Sequence, residues 1–457
     1  MRFLHCAAFA AALLFPIVAQ AQTAPIAGDW YGAIPTMGAP IPLIIHIKAD
    51  GSAALDSPSQ GAKGLPMTAS LKDKDVALAL IVAPARFEGV LSADGKAVAG
   101  KWLQSGATFA VTLTRDAPAP ATPSKLNRPQ EPKPPFPYRA EEVAYVNPAS
   151  SLKLAGTLTL PPGPGPFPVA LLITGSGAQD RDETIFGHKP FLLIADALTR
   201  KGVAVLRVDD RGVGGSDHGR ATDTTADYAT DVAAGVAFLR ARKDIDPARI
   251  GLIGHSEGGA IAPMIAARDP KIAFLVLMAA PGVDGKTLLL AQGRALETAM
   301  GMPADQVDMM EQRRAGWYDA VLTEPDDAKA KARLEAIMDQ QGAPPAIRDQ
   351  IRDLVRPWWR YTLAFKPADY LKSVKAPVLA IGGSRDLQVP AAANLTAIKA
   401  ALPPSTEATI RELPDLNHLL QTTHTGLVNE YGRTEETMSP IALALIVDWT
   451  VAHATRK

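Results

Sequence analysis

The feature that most constrains this chain is a run of prolines that cuts it in two. Residues 117–138 (APAPATPSKLNRPQEPKPPFPY) hold eight prolines in 22 positions. Proline has no N–H to give to a helix or a sheet ladder and its φ is fixed, so this stretch predicts an extended, semi-rigid spacer between two blocks. The hydrophobic pattern differs on its two sides, and each side is therefore read separately.

Residues 22–116 carry short alternating runs at Leu43-Ile44-Ile45-His46-Ile47, Val76-Ala77-Leu78-Ala79-Leu80, Phe87-Glu88-Gly89-Val90-Leu91 and Phe109-Ala110-Val111-Thr112-Leu113. Asp50-Gly51 and Asp94-Gly95 stand between such runs as tight hairpin turns. The pattern predicts a small antiparallel all-β domain, a sandwich or an open barrel. Trp30 and Trp102 are expected in its core, since nothing polar clusters around them as a sugar-stacking platform would require. A glycan- or envelope-binding role for this domain is one rival reading of the chain. No catalytic constellation falls within it.

Beyond the linker, residues 139–457 alternate strand-like and helix-like segments, the signature of βαβ units and a mainly parallel sheet. Val143 to Val146 and Leu152 to Leu160 read as an opening antiparallel hairpin. The apolar runs Val169–Thr174, Val203–Val208, Ile250–Ile253, Ile272–Met278 and Val378–Ile381 suit strands buried on both faces. Tyr228, Val232, Val236 and Leu239 share one face of a helix predicted over 224–241, behind Thr and Asp capping residues. Residues 284–368 interrupt the alternation with helical sequence ending near Trp358-Trp359, and are read as a cap over the active-site end.

Two further features bound the function. Residues 1–21 read as an export signal: Arg2, then the mostly apolar Phe3 to Val18, then Ala19-Gln20-Ala21 as a cleavage site. The apolar stretch is broken by His5 and Pro16 and falls short of the roughly 20 residues that span a membrane. Cleavage would remove Cys6, the only cysteine. That leaves no thiol for disulfides, catalysis or metal binding, and it suits a periplasmic or extracellular protein without stable membrane insertion. Lys+Arg and Asp+Glu are both 47, a balance that argues against a nucleic-acid partner, whose phosphates need a basic excess.

One motif carries chemistry. In Gly254-His255-Ser256-Glu257-Gly258, a strand before and an Ala/Ile-rich helix after give G-x-S-x-G its structural meaning. The turn is too tight for side chains next to it, so Gly254 and Gly258 flank Ser256. The serine hydroxyl is lifted from the sheet end and the next backbone N–H, that of Glu257, faces the reacting carbonyl. A serine needs a base and the base an orienting carboxylate. Asp386 follows the strand ending at Ile381, after Gly382-Gly383-Ser384-Arg385, and reaches the same sheet edge. Only His418, His424 and His453 follow it. His418 comes just after the next strand, His424 lies in a polar loop, and His453 is expected to be solvated on a terminal helix. Asp415 is expected to cap a turn, and the competing role for Asp386 is an ion pair with Arg385. A second oxyanion N–H comes from the loop Thr174-Gly175-Ser176-Gly177, with Ser176 first and Gly177 next. The charge run Asp180-Arg181-Asp182-Glu183 reads as a local ion-pair network, and Asp209 to Ser216 as a strand-to-helix turn. No metal or organic cofactor is implied.

Taken in order, TGSGAQDRDE, DDRGVGGS, GHSEGG, GGSRD and LNH make residues 139–457 resemble secreted bacterial α/β-hydrolases of the esterase, dienelactone-hydrolase and prolyl-oligopeptidase-like branch. The resemblance implies an eight-stranded sheet with helices on both faces, a covalent acyl-enzyme, and Ser256, Asp386 and His418 as its triad. Thr174 departs from the pattern, since many relatives have a histidine there. The β domain resembles one that precedes some secreted bacterial hydrolases. The substrates implied are small esters, with short peptides as the alternative.

Overall fold

A computed structural model describes residues 24–34, 41–57, 62–81, 85–104, 107–117, 127–343, 348 and 351–456. Residues 1–21, read above as an export signal and including Cys6, and residues 118–126 of the linker lie outside the described residues. The chain divides into two compact units, one holding the N-terminal β domain and the other beginning at Pro123.

The first unit is an eight-stranded barrel: β1 (Gly28–Ile34), β2 (Ile41–Ile47), β3 (Ser52–Ser57), β4 (Ala62–Lys72), β5 (Asp75–Leu80), β6 (Ala85–Leu91), β7 (Ala97–Gln104) and β8 (Ala107–Thr114). Each strand pairs antiparallel with the next, and β1 meets β8 at Tyr31 and Thr114. The barrel is closed, not open or split into a sandwich. Closure leaves no unpaired strand edge to be shielded. The hairpin turns form where the Asp-Gly pairs stand: Asp50 Oδ1 accepts from Ser52 N at 2.9 Å and Asp94 Oδ1 from Lys96 N at 3.1 Å. Inward-facing Trp30, Ile45, Phe87, Trp102 and Leu113 fill the interior, as small barrels require. Trp30 donates its indole N–H to Ile26 O at 2.8 Å, and Arg115 lies over its ring. Both tryptophans are core residues.

The second unit opens with the hairpin β9 (Arg139–Val146) and β10 (Lys153–Leu160), in antiparallel register with Leu154 opposite Tyr145. Then come β11 (Phe167–Ile173), β12 (Ala204–Val208), β13 (Ile245–His255), β14 (Leu275–Met278), β15 (Val378–Gly383) and β16 (Ala408–Leu413). The sheet order is β16-β15-β14-β13-β11-β12-β10-β9. Strands β11 to β16 run parallel, which brings the ends of β11, β13, β15 and β16 to one edge. Helices cover both faces. On one, α2 (Thr225–Arg240) and α3 (Glu257–Ala266) bury Val232, Val236, Leu239, Ile261 and Ile265. On the other, α1 (Pro190–Arg200) and the helix Pro440–Ala454 bury Phe191, Leu198, Ile446 and Val447. Thr224 and Asp227 form a capping box at the start of α2.

Between β14 and β15 stands the helical cap, with helices at Gly285–Ala299, Ala304–Leu322, Asp327–Gln340 and Pro357–Ala364. It has its own small core of Trp317, Val321, Leu334, Met338 and Leu363. The end of the proline-rich segment packs on this unit: Arg128 donates to Phe186 O at 2.9 Å, and Gln130 to Met438 O at 2.8 Å. Among the described residues no helix is long and apolar enough to cross a membrane.

Candidate active site

Ser256 sits between the last residue of β13 and the first of α3, with φ 52° and ψ −116°. A positive φ is unusual for serine and marks a constrained turn. The turn exists because two glycines let backbone pass close by. A Cβ on Gly254 would lie 2.1 Å from Gly258 O, and one on Gly258 would lie 2.1 Å from Ile173 O. The Ser256 N–H is committed to Met278 O at 2.9 Å.

Asp386 and His418 come from the turns after β15 and β16. Asp386 Oδ1 accepts from the backbone N–H groups of Gln388 and Val389, each at 2.8 Å, while Oδ2 is 2.8 Å from His418 Nδ1. Both side chains are buried. His418 stands in a tight turn braced by Asn417, whose Oδ1 accepts from Leu419 N and Gln421 N at 3.0 Å. The Arg385 alternative fails, because Arg385 Nε pairs with Asp415 Oδ1 at 2.8 Å. His424 is exposed. His453 is not solvated: it is buried, stacked 3.7 Å from the Trp449 ring, with Nε2 3.0 Å from Glu407 Oε1. The apolar face of the terminal helix explains the difference, since it carries Trp449 and His453 inward together.

Ser176 and Ser256 line the same cavity, about 190 Å³ in volume. Its other walls are largely apolar: Val283, Leu288 and Leu289, then Trp358, Trp359 and Phe365 from the cap. Gln388 and Val389, beside Asp386, also reach it. One carboxylate intrudes. Glu257 accepts hydrogen bonds from Thr225 Oγ1 and from Trp358 Nε1, the latter at 2.9 Å, and burial raises its pKa against those two bonds.

Gly177 and Glu257 line a second, more polar cavity of about 370 Å³, with Thr174, Asp210 and Tyr228. Thr174, which departs from the family pattern, donates its hydroxyl to Asp210 at 2.8 Å. Burial pushes Asp210 up to about 7, helped by Glu183 and Glu257 and opposed by the bonds from Gln179 N and Thr174.

The charge run after the Thr174–Gly177 loop separates into two parts. Arg181 binds Asp209 through Nε at 3.0 Å and Nη2 at 2.6 Å, and Asp182 pairs with Arg207. Asp209 to Ser216 is a turn, with Arg211 held by Asp223 and Asp231. Glu183 instead turns inward. Its Oε1 accepts from Gly175 N at 2.7 Å and lies 2.9 Å from His255 Nδ1, and His255 Nε2 lies 3.0 Å from His418 O. The His255 and His418 rings are 4.8 Å apart. Sequence reasoning missed both residues. His255 occupied a variable position of the G-x-S-x-G string, and 72 positions separate it from Glu183.

Strand order, serine elbow and buried carboxylate–histidine pair together define an α/β-hydrolase of the serine type. Residues 190–422 match the family described as serine aminopeptidase, S33, and the chain belongs to that family. Esterase EstD of Thermotoga maritima is 30% identical over 269 residues, 58% of this chain and 58% of its own length. An uncharacterised 31.7 kDa protein from the traX-finO intergenic region of Escherichia coli is 27% identical over 194 residues, 42% of this chain and 65% of that one. The chain thus spans less than two thirds of the length of these relatives. Among solved structures, the α/β-hydrolase GrgF from Penicillium sp. sh18 is 17% identical, with a TM-score of 0.44 over 70% of this chain and 100% of the other.

Proposed function

We propose that the protein is an exported carboxylesterase that works through an acyl-enzyme on Ser256. The observation that carries the reading is the cavity shared by Ser256 and Ser176, whose walls are mainly apolar and suit the acyl or alcohol part of an ester. His418 takes the proton of Ser256 as its oxygen attacks the ester carbonyl. Asp386 holds the Nδ1–H tautomer and stabilises the imidazolium that forms. The carbonyl oxygen, now negative, is met by the N–H groups of Glu257 and Ser176, with Gly177 next in line; Gly175 N–H is committed to Glu183 and Ser256 N–H to Met278. The alcohol leaves with the proton from His418, and water repeats the cycle to release the acid. The named esterase among the relatives supports this choice of bond.

A second reading has its own observation. Glu257 puts a carboxylate into the cavity, where it can pair with the N-terminal amine of a short peptide, in keeping with the aminopeptidase description of the family. Turnover of p-nitrophenyl esters from acetate to octanoate, set against alanyl and prolyl p-nitroanilides, decides between the two. Ester cleavage with a chain-length optimum and little anilide cleavage supports the esterase. Anilide cleavage at a comparable rate overturns it, since amides resist enzymes built only for activated esters. Residues 1–21 would place the enzyme in the periplasm or outside the cell; recovery of the full-length, uncleaved chain in the cytoplasmic fraction would contradict that.

A further inference from the structure

We propose that Glu183 and His255 form a buried carboxylate–imidazolium brace that sets the oxyanion loop and the His418 turn in register around Ser256. The inference rests on the reading of Ser256 and His418 as nucleophile and base, and it adds two positioning residues to it. The argument is one of donors and acceptors. His255 Nε2 faces a backbone carbonyl, His418 O, at 3.0 Å, which can only accept. Its Nδ1 faces Glu183 Oε1 at 2.9 Å, and that same oxygen already accepts from Gly175 N. A neutral imidazole has one N–H and cannot serve both directions. The pair therefore retains a further proton, and the proposal places it on the ring, the arrangement in which Glu183 Oε1 accepts from both Nδ1 and Gly175 N.

Three segments are tied by these bonds. Gly175 opens the oxyanion loop, His255 is bonded to Ser256 in the chain, and His418 carries the base. Gly175 packs tightly here: a Cβ would lie 3.3 Å from both Glu183 Oε1 and Ser256 Cβ, so these neighbours would have to shift slightly to admit one. The charges matter as well. A lone imidazolium 4.8 Å from the His418 ring would oppose the positive charge that His418 gains in the reaction, and Glu183 cancels it. The charged and titratable groups facing His255 are Glu183, Asp386 and His418, with Asp210 beyond Glu183. Pro190, Met278, Leu419, Leu420 and Met438 complete the surroundings. Burial disfavours a charged ring, but Glu183, the His418 carbonyl and Asp386 outweigh it and raise the His255 pKa.

Ring-15N spectra of the full chain labelled at histidine test the proposal without reference to activity. At pH 8 the resonances assigned to His255, by their loss in His255→Asn, should show both nitrogens protonated. Glu183→Gln keeps the size and an acceptor oxygen, and should turn that ring neutral. The same variant should lower kcat about 10-fold with KM nearly unchanged, as expected when an oxyanion donor is displaced rather than removed. A neutral His255 in the wild type at pH 8, or a Glu183→Gln variant with unaltered ring state and kcat, overturns the brace. If His255→Asn or Glu183→Gln fails to fold, His453→Asn removes the other buried ring with an acceptor at each nitrogen, and a ring with both nitrogens protonated and protected from exchange must still be found in it at pH 8. Labelling of Ser256 by a fluorophosphonate reports on the nucleophile separately, so loss of the brace and loss of the catalytic reading are distinguishable.

Discussion

Two carboxylate–histidine pairs lie side by side at the end of this sheet, Asp386–His418 and Glu183–His255. Each carboxylate is buried and each meets an Nδ1 within 3 Å, at 2.8 and 2.9 Å respectively; Asp386 also accepts from two backbone N–H groups and Glu183 from one. They differ in what the second ring nitrogen meets. His255 gives Nε2 to the carbonyl of His418, and so both its nitrogens are fixed by acceptors. His418 meets its carboxylate through Nδ1, and the proposed mechanism gives its Nε2 the proton of Ser256. On the readings proposed above, the same two residue types make a base in one place and a brace in the other. A carboxylate orients an imidazole, and the partner of the remaining nitrogen decides whether the ring can titrate during a reaction.

The comparison can be broken from the catalytic side first. Ser256→Ala should remove about 10⁶-fold of kcat, the scale seen when a triad serine is deleted, with an unchanged thermal midpoint; retained turnover would remove Ser256 from its role. Asp386→Asn should cost about 10⁴-fold because the wrong tautomer is then held. If it costs no more than Glu183→Gln, the two pairs are not different in kind. Gly258→Ala forces a Cβ against Ile173 O and should destabilise the protein by about 1–3 kcal/mol while lowering activity, measured by thermal unfolding beside turnover.

Smaller effects separate the pairs by pH. The raised His255 pKa means the folded state binds that proton more tightly than the unfolded chain. Its stabilisation is complete below the ordinary histidine value of about 6.5 and fades as pH rises through the higher folded value. The stability gap between wild type and Glu183→Gln should therefore shrink with rising pH above neutrality. Asp210, at about 7, has the same sign: stability is lost as pH rises from its unfolded value toward 7. Asp210→Asn should accordingly gain on the wild type between pH 5 and pH 8, and a constant difference in thermal midpoint would contradict that.

Much of this was legible in the chain. The apolar runs placed the strands of the catalytic sheet because strands buried on both faces must be nearly all apolar. Asp50-Gly51 and Asp94-Gly95 placed hairpins because few dipeptides suit so tight a turn. Ser256 was legible because only glycine fits two residues to either side of it. Barrel closure was not, since it rests on Tyr31 meeting Thr114 across the whole domain. Neither were Glu183 and His255: one stood in a run whose neighbours Arg181 and Asp182 do form ion pairs, and the other in a string read only for its serine and glycines. A pairing across 72 positions leaves no local trace in hydropathy or spacing.

The central claim, that Ser256 is the nucleophile, is tested most directly by treating the protein with a fluorophosphonate and mapping the adduct by peptide mass. One adduct per chain, on Ser256, and none in Ser256→Ala, is the predicted result. An adduct on another serine, or no adduct while esters are still hydrolysed, would contradict it.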